Sequence, residues 1–222
     1  MSKSLKLSLT MVVAAALALV IALLVTGGGD PEPGPAADDP GKPADESGQS
    51  AALLVRDDSP RLSEGTEAVF VEFLDFECEG CLAVYPAIED LRDRYGDRVS
   101  FVVRYMPLHG NSVAAALAAE AAADQGEFEA MYQRLFDTAE QWGHQEASQE
   151  STFFGYADDL GLDMERFEIA YNDPATLARI EQSQQDGQAL GVQGTPTFFL
   201  DGQRLEPTSV ADLEAALDAA LD

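Results

Sequence analysis

The stretch AVFVEFLDFECEGC, Ala68 to Cys81, constrains the fold of this chain more than any other segment. Val69, Val71 and Phe73 alternate with Phe70, Glu72 and Leu74, so an extended backbone here is apolar on both faces except at Glu72. Such a strand needs cover on both sides, which points to a central strand in a layered α/β sheet. It stops at the chain's only two cysteines, Cys78 and Cys81. The segment LAVYPAIEDLRDRYG then sets Leu82, Tyr85, Ile88, Leu91 and Tyr95 at helical spacing up to Gly96. Strand, cysteine pair and helix follow one another with no room for a long loop.

A short strand is expected at Leu53 to Val55, and a second long one in VSFVVRYMP. Between Asn111 and Asp173 the pattern is helical only, a helical insertion at about 111–173. Asn111 or Ser112 caps a helix running to Gly126, EFEAMYQRLFDTAEQW reads as one helix ending at Gly143, and two shorter helices carry Phe153, Phe154, Leu160, Phe167 and Tyr171. Those aromatics and Trp142 are assigned to the core. A polar helix ends at Leu190, Thr197 to Leu200 reads as a strand, Asp201-Gly202 as a hairpin turn and Arg204 to Glu206 as the return strand. Ser209 and Asp212 form a capping box for the last helix.

The N-terminal end has a different composition. Leu5 to Val25 is almost wholly apolar and long enough to span a bilayer, and no small-x-small cleavage site directly follows it. An uncleaved anchor is therefore preferred to a signal peptide, whose apolar region is about 7 to 15 residues. Residues 1–6 read as a cytoplasmic stub, 7–26 as a transmembrane anchor, 27–50 as a flexible acidic linker spanning about 25 to 30 Å, and 51–222 as one folded domain outside the membrane. The net charge of −27, with no lysine after Lys42, argues against binding nucleic acid or an anionic membrane surface.

Two cysteines three positions apart fit a zinc half-site, a structural disulfide or a redox pair. Zinc needs four ligands, and the only histidines, His109 and His144, form no spaced pair, so no metal is expected. A disulfide closing so short a loop constrains little of the unfolded chain. The redox reading accounts for the position, because a cysteine at a helix N-terminus faces unpaired N–H groups and the positive end of the helix dipole. Cys78 is the exposed nucleophile and Cys81, one turn inside the helix, the resolving thiol. Glu72, flanked by Phe70, Val71, Phe73 and Leu74, loses hydration; its carboxyl is expected above the usual value of about 4.3, which suits a proton carrier. His109, in MPLHGNS, reads as a loop or helix-cap residue.

FVEFLDFECEGC, Pro86 in the following helix, the long helical insertion and GVQGTPTFF together resemble the DsbA-like thioredoxin-fold disulfide oxidoreductases, particularly membrane-anchored bacterial members, over Leu53 to Asp222. The resemblance implies an α/β thioredoxin fold with a helical insertion, behind a transmembrane helix and disordered linker. It also implies that Thr195-Pro196 is a cis peptide beside the cysteines and receives extended client peptide, and that Glu72, six positions before Cys78, handles protons. Better-studied oxidases of this class carry Pro-His or similar between the cysteines. Here Glu79-Gly80 stands there, and this pair joins the candidate client-contact residues. Glu79, with Asp75 and Glu77, is expected to oppose thiolate formation at Cys78.

The implied activity is oxidation of cysteine pairs in secreted proteins by an extracytoplasmic, membrane-tethered enzyme. Reduction or isomerisation of disulfides, and non-catalytic peptide binding, are the alternatives. No metal or organic cofactor is expected beyond the redox-active Cys78–Cys81 disulfide. With no further cysteine, the chain must pass electrons to another protein, by resemblance a quinone-linked membrane oxidase.

Overall fold

The computed structural model describes residues 51–222. The expected cytoplasmic stub, anchor and linker, residues 1–50, lie outside the described residues. Among the described residues no helix is long and apolar enough to cross a membrane.

Strand β1 (Ala68–Leu74) is central, with β2 (Val99–Tyr105) parallel on one side and β3 (Thr197–Leu200) antiparallel on the other; β4 (Gln203–Arg204) closes the order β2-β1-β3-β4. Helix α1 (Glu79–Tyr95) makes the crossover from β1 to β2 and contains Pro86. The β1 alternation works as its sequence indicates. Phe70 and Leu74 join Phe101, Val103 and Phe198 in one core layer, while Val71 and Phe73 join Val102, Phe199, Leu54 and Val192 in the layer on the other face. Parallel pairing also brings the C-terminal ends of β1 and β2 to the same edge of the sheet, and both candidate site loops leave from that edge.

After β2 come α2 (Ser112–Ala123), α3 (Phe128–Asp137), α4 (Ala139–Trp142), α5 (Glu150–Asp159), α6 (Met164–Tyr171) and α7 (Pro174–Ala189). Helix α2 is the hub: its alanines 115, 116, 118, 119, 121 and 122 are all buried, and α3, α5, α6 and α7 pack around it. Small side chains let several helices approach one axis, and the aromatic residues of the neighbours fill the space between them. Trp142 is fully buried, meets Phe153 edge-on at 4.9 Å and donates its Nε1–H to the Leu135 carbonyl at 3.1 Å. Helix α8 (Val210–Leu221) ends the chain, opened by the Ser209 and Asp212 capping box.

Three local expectations are corrected. Residues 51–54 form a helical turn, not a strand, and the sheet instead gains a single bridge between Arg61 and Val102. The segment read as one helix breaks at Thr138, whose hydroxyl donates to the Arg134 carbonyl at 2.6 Å and whose backbone (φ −113°, ψ 7°) leaves the helical range. The return strand is shorter and earlier, Gln203–Arg204, because Asp201 (φ 48°) and Gly202 (φ 84°) reverse the chain in two residues.

Candidate active site

Cys78 occupies the N-cap of α1 with an extended backbone (φ −80°, ψ 124°), so it stands over the unpaired N–H groups of the first turn. Its own N–H donates to the Asp75 carbonyl at 3.1 Å. Cys78 is half-buried and Cys81 only 1% exposed; both are free thiols. A hydrogen bond from Cys81, with others from the Thr195 side chain and the N–H groups of Cys81 and Gly80, outweighs partial burial and pulls the Cys78 thiol down to about 5. That same bond, burial and the nearby Glu72 push the Cys81 thiol far up. One sulfur is therefore ionised at neutral pH while the other keeps its proton, the asymmetry needed between an attacking and a resolving thiol.

Thr195 faces the Cys78 sulfur with two groups of opposite character. Its carbonyl oxygen, 3.3 Å from Sγ, accepts from the thiol, whereas its hydroxyl, buried and with no fixed partner, is free to donate to the thiolate. The Thr195–Pro196 bond is cis, as the resemblance implies. Gly80 is placed where no side chain fits easily: a Cβ there would lie 3.2 Å from Pro196 Cδ and 3.6 Å from Cys78 Sγ. Gly80→Ala is expected to cost about 1 kcal/mol of stability through overpacking and to slow the reaction of Cys78 with a disulfide reagent. Unchanged thermal unfolding and unchanged reactivity would contradict that close packing. Beside Pro196 a groove of about 360 Å³ is lined by the apolar Val84, Phe198, Leu205, Val210 and Leu213, with Arg204 and Glu206 among its polar residues.

Glu72 lies on the strand face shared with Phe70 and Leu74, between Val103 and Phe198 of the flanking strands. It is 5% exposed, and burial, with the charges of Cys78 and Glu89 adding to it, raises its carboxyl to about 8. The sequence-based expectation of an elevated value is met.

The carboxylates around the cysteines differ from expectation. Asp75 and Glu77, expected with Glu79 to oppose the thiolate, are both buried and hydrogen-bonded to the surrounding loops. Asp75 accepts the N–H groups of Glu77 (2.9 Å) and Leu108 (2.8 Å) and meets His109 Nδ1 at 2.6 Å. Glu77 accepts the N–H groups of Asn111 and His144, each at 2.7 Å. Glu79 is exposed and pairs with His144 Nε2 at 3.1 Å. Asn111 sits at the N-cap of α2 without capping it; its amide instead donates to the Gln145 carbonyl at 3.0 Å. His109, read as a loop residue, does lie in the loop before α2, but its ring belongs to the site. The available signal was its place four residues after β2, whose end lies beside that of β1.

The family model described as Thioredoxin matches residues 63–219. The crystal structure of a thioredoxin-like oxidoreductase from Silicibacter pomeroyi DSS-3 is 31% identical, with a TM-score of 0.64 over 76% of this chain and 95% of that one. The thiol-disulfide exchange protein alpha-DsbA2 from Wolbachia pipientis superposes with a TM-score of 0.67 at 22% identity, over 78% of this chain and 92% of that one, a likeness of fold. Among curated proteins, the Na(+)/H(+) antiporter NhaA of Herminiimonas arsenicoxydans is 38% identical over 148 residues, 67% of this chain and 23% of the antiporter. The chain thus spans about a quarter of the length of the curated relatives it matches. A match of that extent falls mostly on the thioredoxin-like region. The chain belongs to the thioredoxin family, is similar to a thioredoxin-like oxidoreductase and shares its fold with alpha-DsbA2.

Proposed function

We propose that this chain is an extracytoplasmic, membrane-tethered oxidase of protein thiols. It accepts electrons from cysteine pairs of secreted or membrane proteins into the Cys78–Cys81 disulfide and passes them to a membrane oxidase. The observation that carries the reading is the split between the two sulfurs, an acidic, half-exposed Cys78 beside Thr195-Pro196 and a buried, proton-holding Cys81. Stabilising the thiolate lowers the free energy of the reduced form and so makes the disulfide an oxidant. A thiol at about 5, against about 8.5 for free cysteine, supports a reduction potential between about −120 and −220 mV, above thioredoxin's −270 mV or so. The antiporter relatives support a working place beside a membrane, since there a domain of this kind belongs to the chain of a membrane protein.

In the first step a client thiolate attacks Cys78 Sγ, the Cys78–Cys81 bond breaks, and Cys81 leaves. Glu72, whose burial favours its protonated form and which lies close enough to Cys81 to raise its thiol, protonates the departing sulfur. The second client thiolate attacks the client sulfur of the mixed disulfide, and Cys78 leaves as a stable thiolate. Thr195 and the groove beside Pro196 hold the client, with contacts added by Gly80, which packs against Pro196, and by the exposed Glu79.

Cys81→Ala, with Cys78 first activated as a mixed disulfide with a small thiol, is expected to exchange that thiol for a monothiol client peptide and then hold the peptide, seen as an added mass that reductant removes. An active wild type with no adduct in the variant would refute the division of roles. A glutathione equilibrium placing the potential at or below that of thioredoxin would turn the reading to reductase.

A further inference from the structure

The chain's two histidines meet beside the cysteine turn, edge to face with ring centroids 5.4 Å apart. Neither lies in the C-x-x-C segment. Asp75 holds the first: its Oδ2 is 2.6 Å from His109 Nδ1 and also accepts the Leu108 N–H, while Oδ1 accepts the Glu77 N–H. Because this carboxylate is buried and bonded through both oxygens, it cannot turn away, and the imidazole is fixed with a proton on Nδ1 and Nε2 left to exchange one. The backbone carbonyl of the same Asp75 accepts the N–H of Cys78 at 3.1 Å. One residue therefore ties the imidazole and the nucleophile together.

Glu72 serves the buried Cys81, which leaves the incoming client thiol without an acceptor for its proton. We propose that His109, oriented by Asp75, takes the proton of the client thiol at Nε2 as the client thiolate attacks Cys78, and that the imidazolium so formed faces the Cys78 thiolate until the pair is reoxidised. The proposal rests on thiol-disulfide exchange at Cys78.

The protons and electrons balance. Two client thiols give up two protons and two electrons, a client S–S bond forms and the Cys78–Cys81 bond breaks. One proton ends on Cys81 through Glu72, the other stays on His109 until the pair is reoxidised, and Cys78 stays ionised. The groups facing His109 are Asp75 from the end of β1, Glu77 and Cys78 from the cysteine turn, and His144 from the loop after α4, itself paired with Glu79. Burial disfavours the imidazolium, but Asp75, the Cys78 thiolate and Glu77 outweigh it and raise the histidine above its ordinary value. Forming the disulfide removes the thiolate from that set, so the imidazole gives its proton up more readily in the oxidised protein. The histidine is a base when a client arrives and a cation while Cys78 carries charge.

The test is an NMR titration of the His109 ring in the dithiol and disulfide forms, with its signals assigned by comparison with His144→Gln. The midpoint is expected to be higher in the dithiol form by about half to one pH unit, a three- to tenfold change in proton affinity. His109→Gln is expected to lower the thiolate-to-thiol ratio of Cys78 by a similar factor, read from ultraviolet thiolate absorbance, and to remove the corresponding limb from the pH–rate profile. Equal midpoints in the two redox forms of the wild type would overturn the proposal, however active the enzyme. A wild type that fails to react with a thiol peptide would instead refute the exchange reading, and the histidine titration can still be read in that case.

Discussion

Glu72→Gln is expected to become progressively more stable than the wild type as pH rises from 4.5 to 8, by about 3 to 5 kcal/mol at the upper end. The native carboxyl titrates at about 8 and the unfolded one at about 4.5. Below 4.5 both states carry the proton; between the two values only the native state does, so unfolding releases a proton and wild-type stability falls with each pH unit. One unit of displacement corresponds to about 1.36 kcal/mol. The loss is complete once pH has passed the folded value. Glutamine does not titrate, so its curve lacks this slope, and any constant cost of burying an amide between Val103 and Phe198 drops out of the comparison. Denaturant unfolding of both proteins in their dithiol forms at several pH values measures it. Parallel stability–pH curves would show that Glu72 titrates as an ordinary carboxylate and has no proton to deliver to Cys81. The same substitution is expected to slow turnover near neutral pH by about a hundredfold, the lower range of acid–base contributions, while leaving the fold intact.

That Glu72 was legible in the sequence while its neighbours were misread has a physical cause. Its burial follows from alternation within one strand, information contained in Phe70 to Leu74 themselves. The same is true of the cysteine turn, the α1 stripe and the Ser209 and Asp212 cap, all local patterns. Asp75 and Glu77 owe their state to partners more than thirty residues away, the Leu108, Asn111 and His144 N–H groups, and spacing along the chain carries no trace of such contacts. Charge counted along the sequence therefore suggested a field opposing the thiolate, whereas the folded chain turns two of those carboxylates into anchors for the surrounding loops. The break at Thr138 escaped for the opposite reason. The apolar periodicity continues through it, and only a side-chain bond back to Arg134 interrupts the helix.

The second large effect lies away from the cysteines, at a buried ion pair that no motif announces. Asp186, on α7, is 2% exposed at its side chain and receives Arg104 Nη2 at 2.6 Å and Arg56 through Nε and Nη2 at 2.6 and 2.7 Å. Burial alone would raise the carboxyl, but the bonds from the two arginines hold it below its ordinary value. Arg104, in β2, is pulled down by its own burial and supported by the same carboxylate; it also lies over the Phe73 ring and donates to the carbonyls of Leu53 and Leu54. Asp186→Ala leaves the Arg104 guanidinium buried without its counter-charge, which is expected to cost about 3 to 5 kcal/mol. Asp186→Asn, which retains an acceptor of the same shape, should lose less. Because this one carboxylate binds Arg56 and anchors the Arg104 that donates to the Leu53 and Leu54 carbonyls, limited proteolysis of Asp186→Ala should cut first between residues 51 and 61, ahead of global unfolding. The contribution is present above the unfolded carboxyl value of 3.8 and disappears as pH falls through the lower folded value, so the gap between wild type and variant should narrow in acid. A gap independent of pH, with no early cleavage at 51–61, would show that the pair is neither electrostatic in its effect nor the clasp of the N-terminal turn.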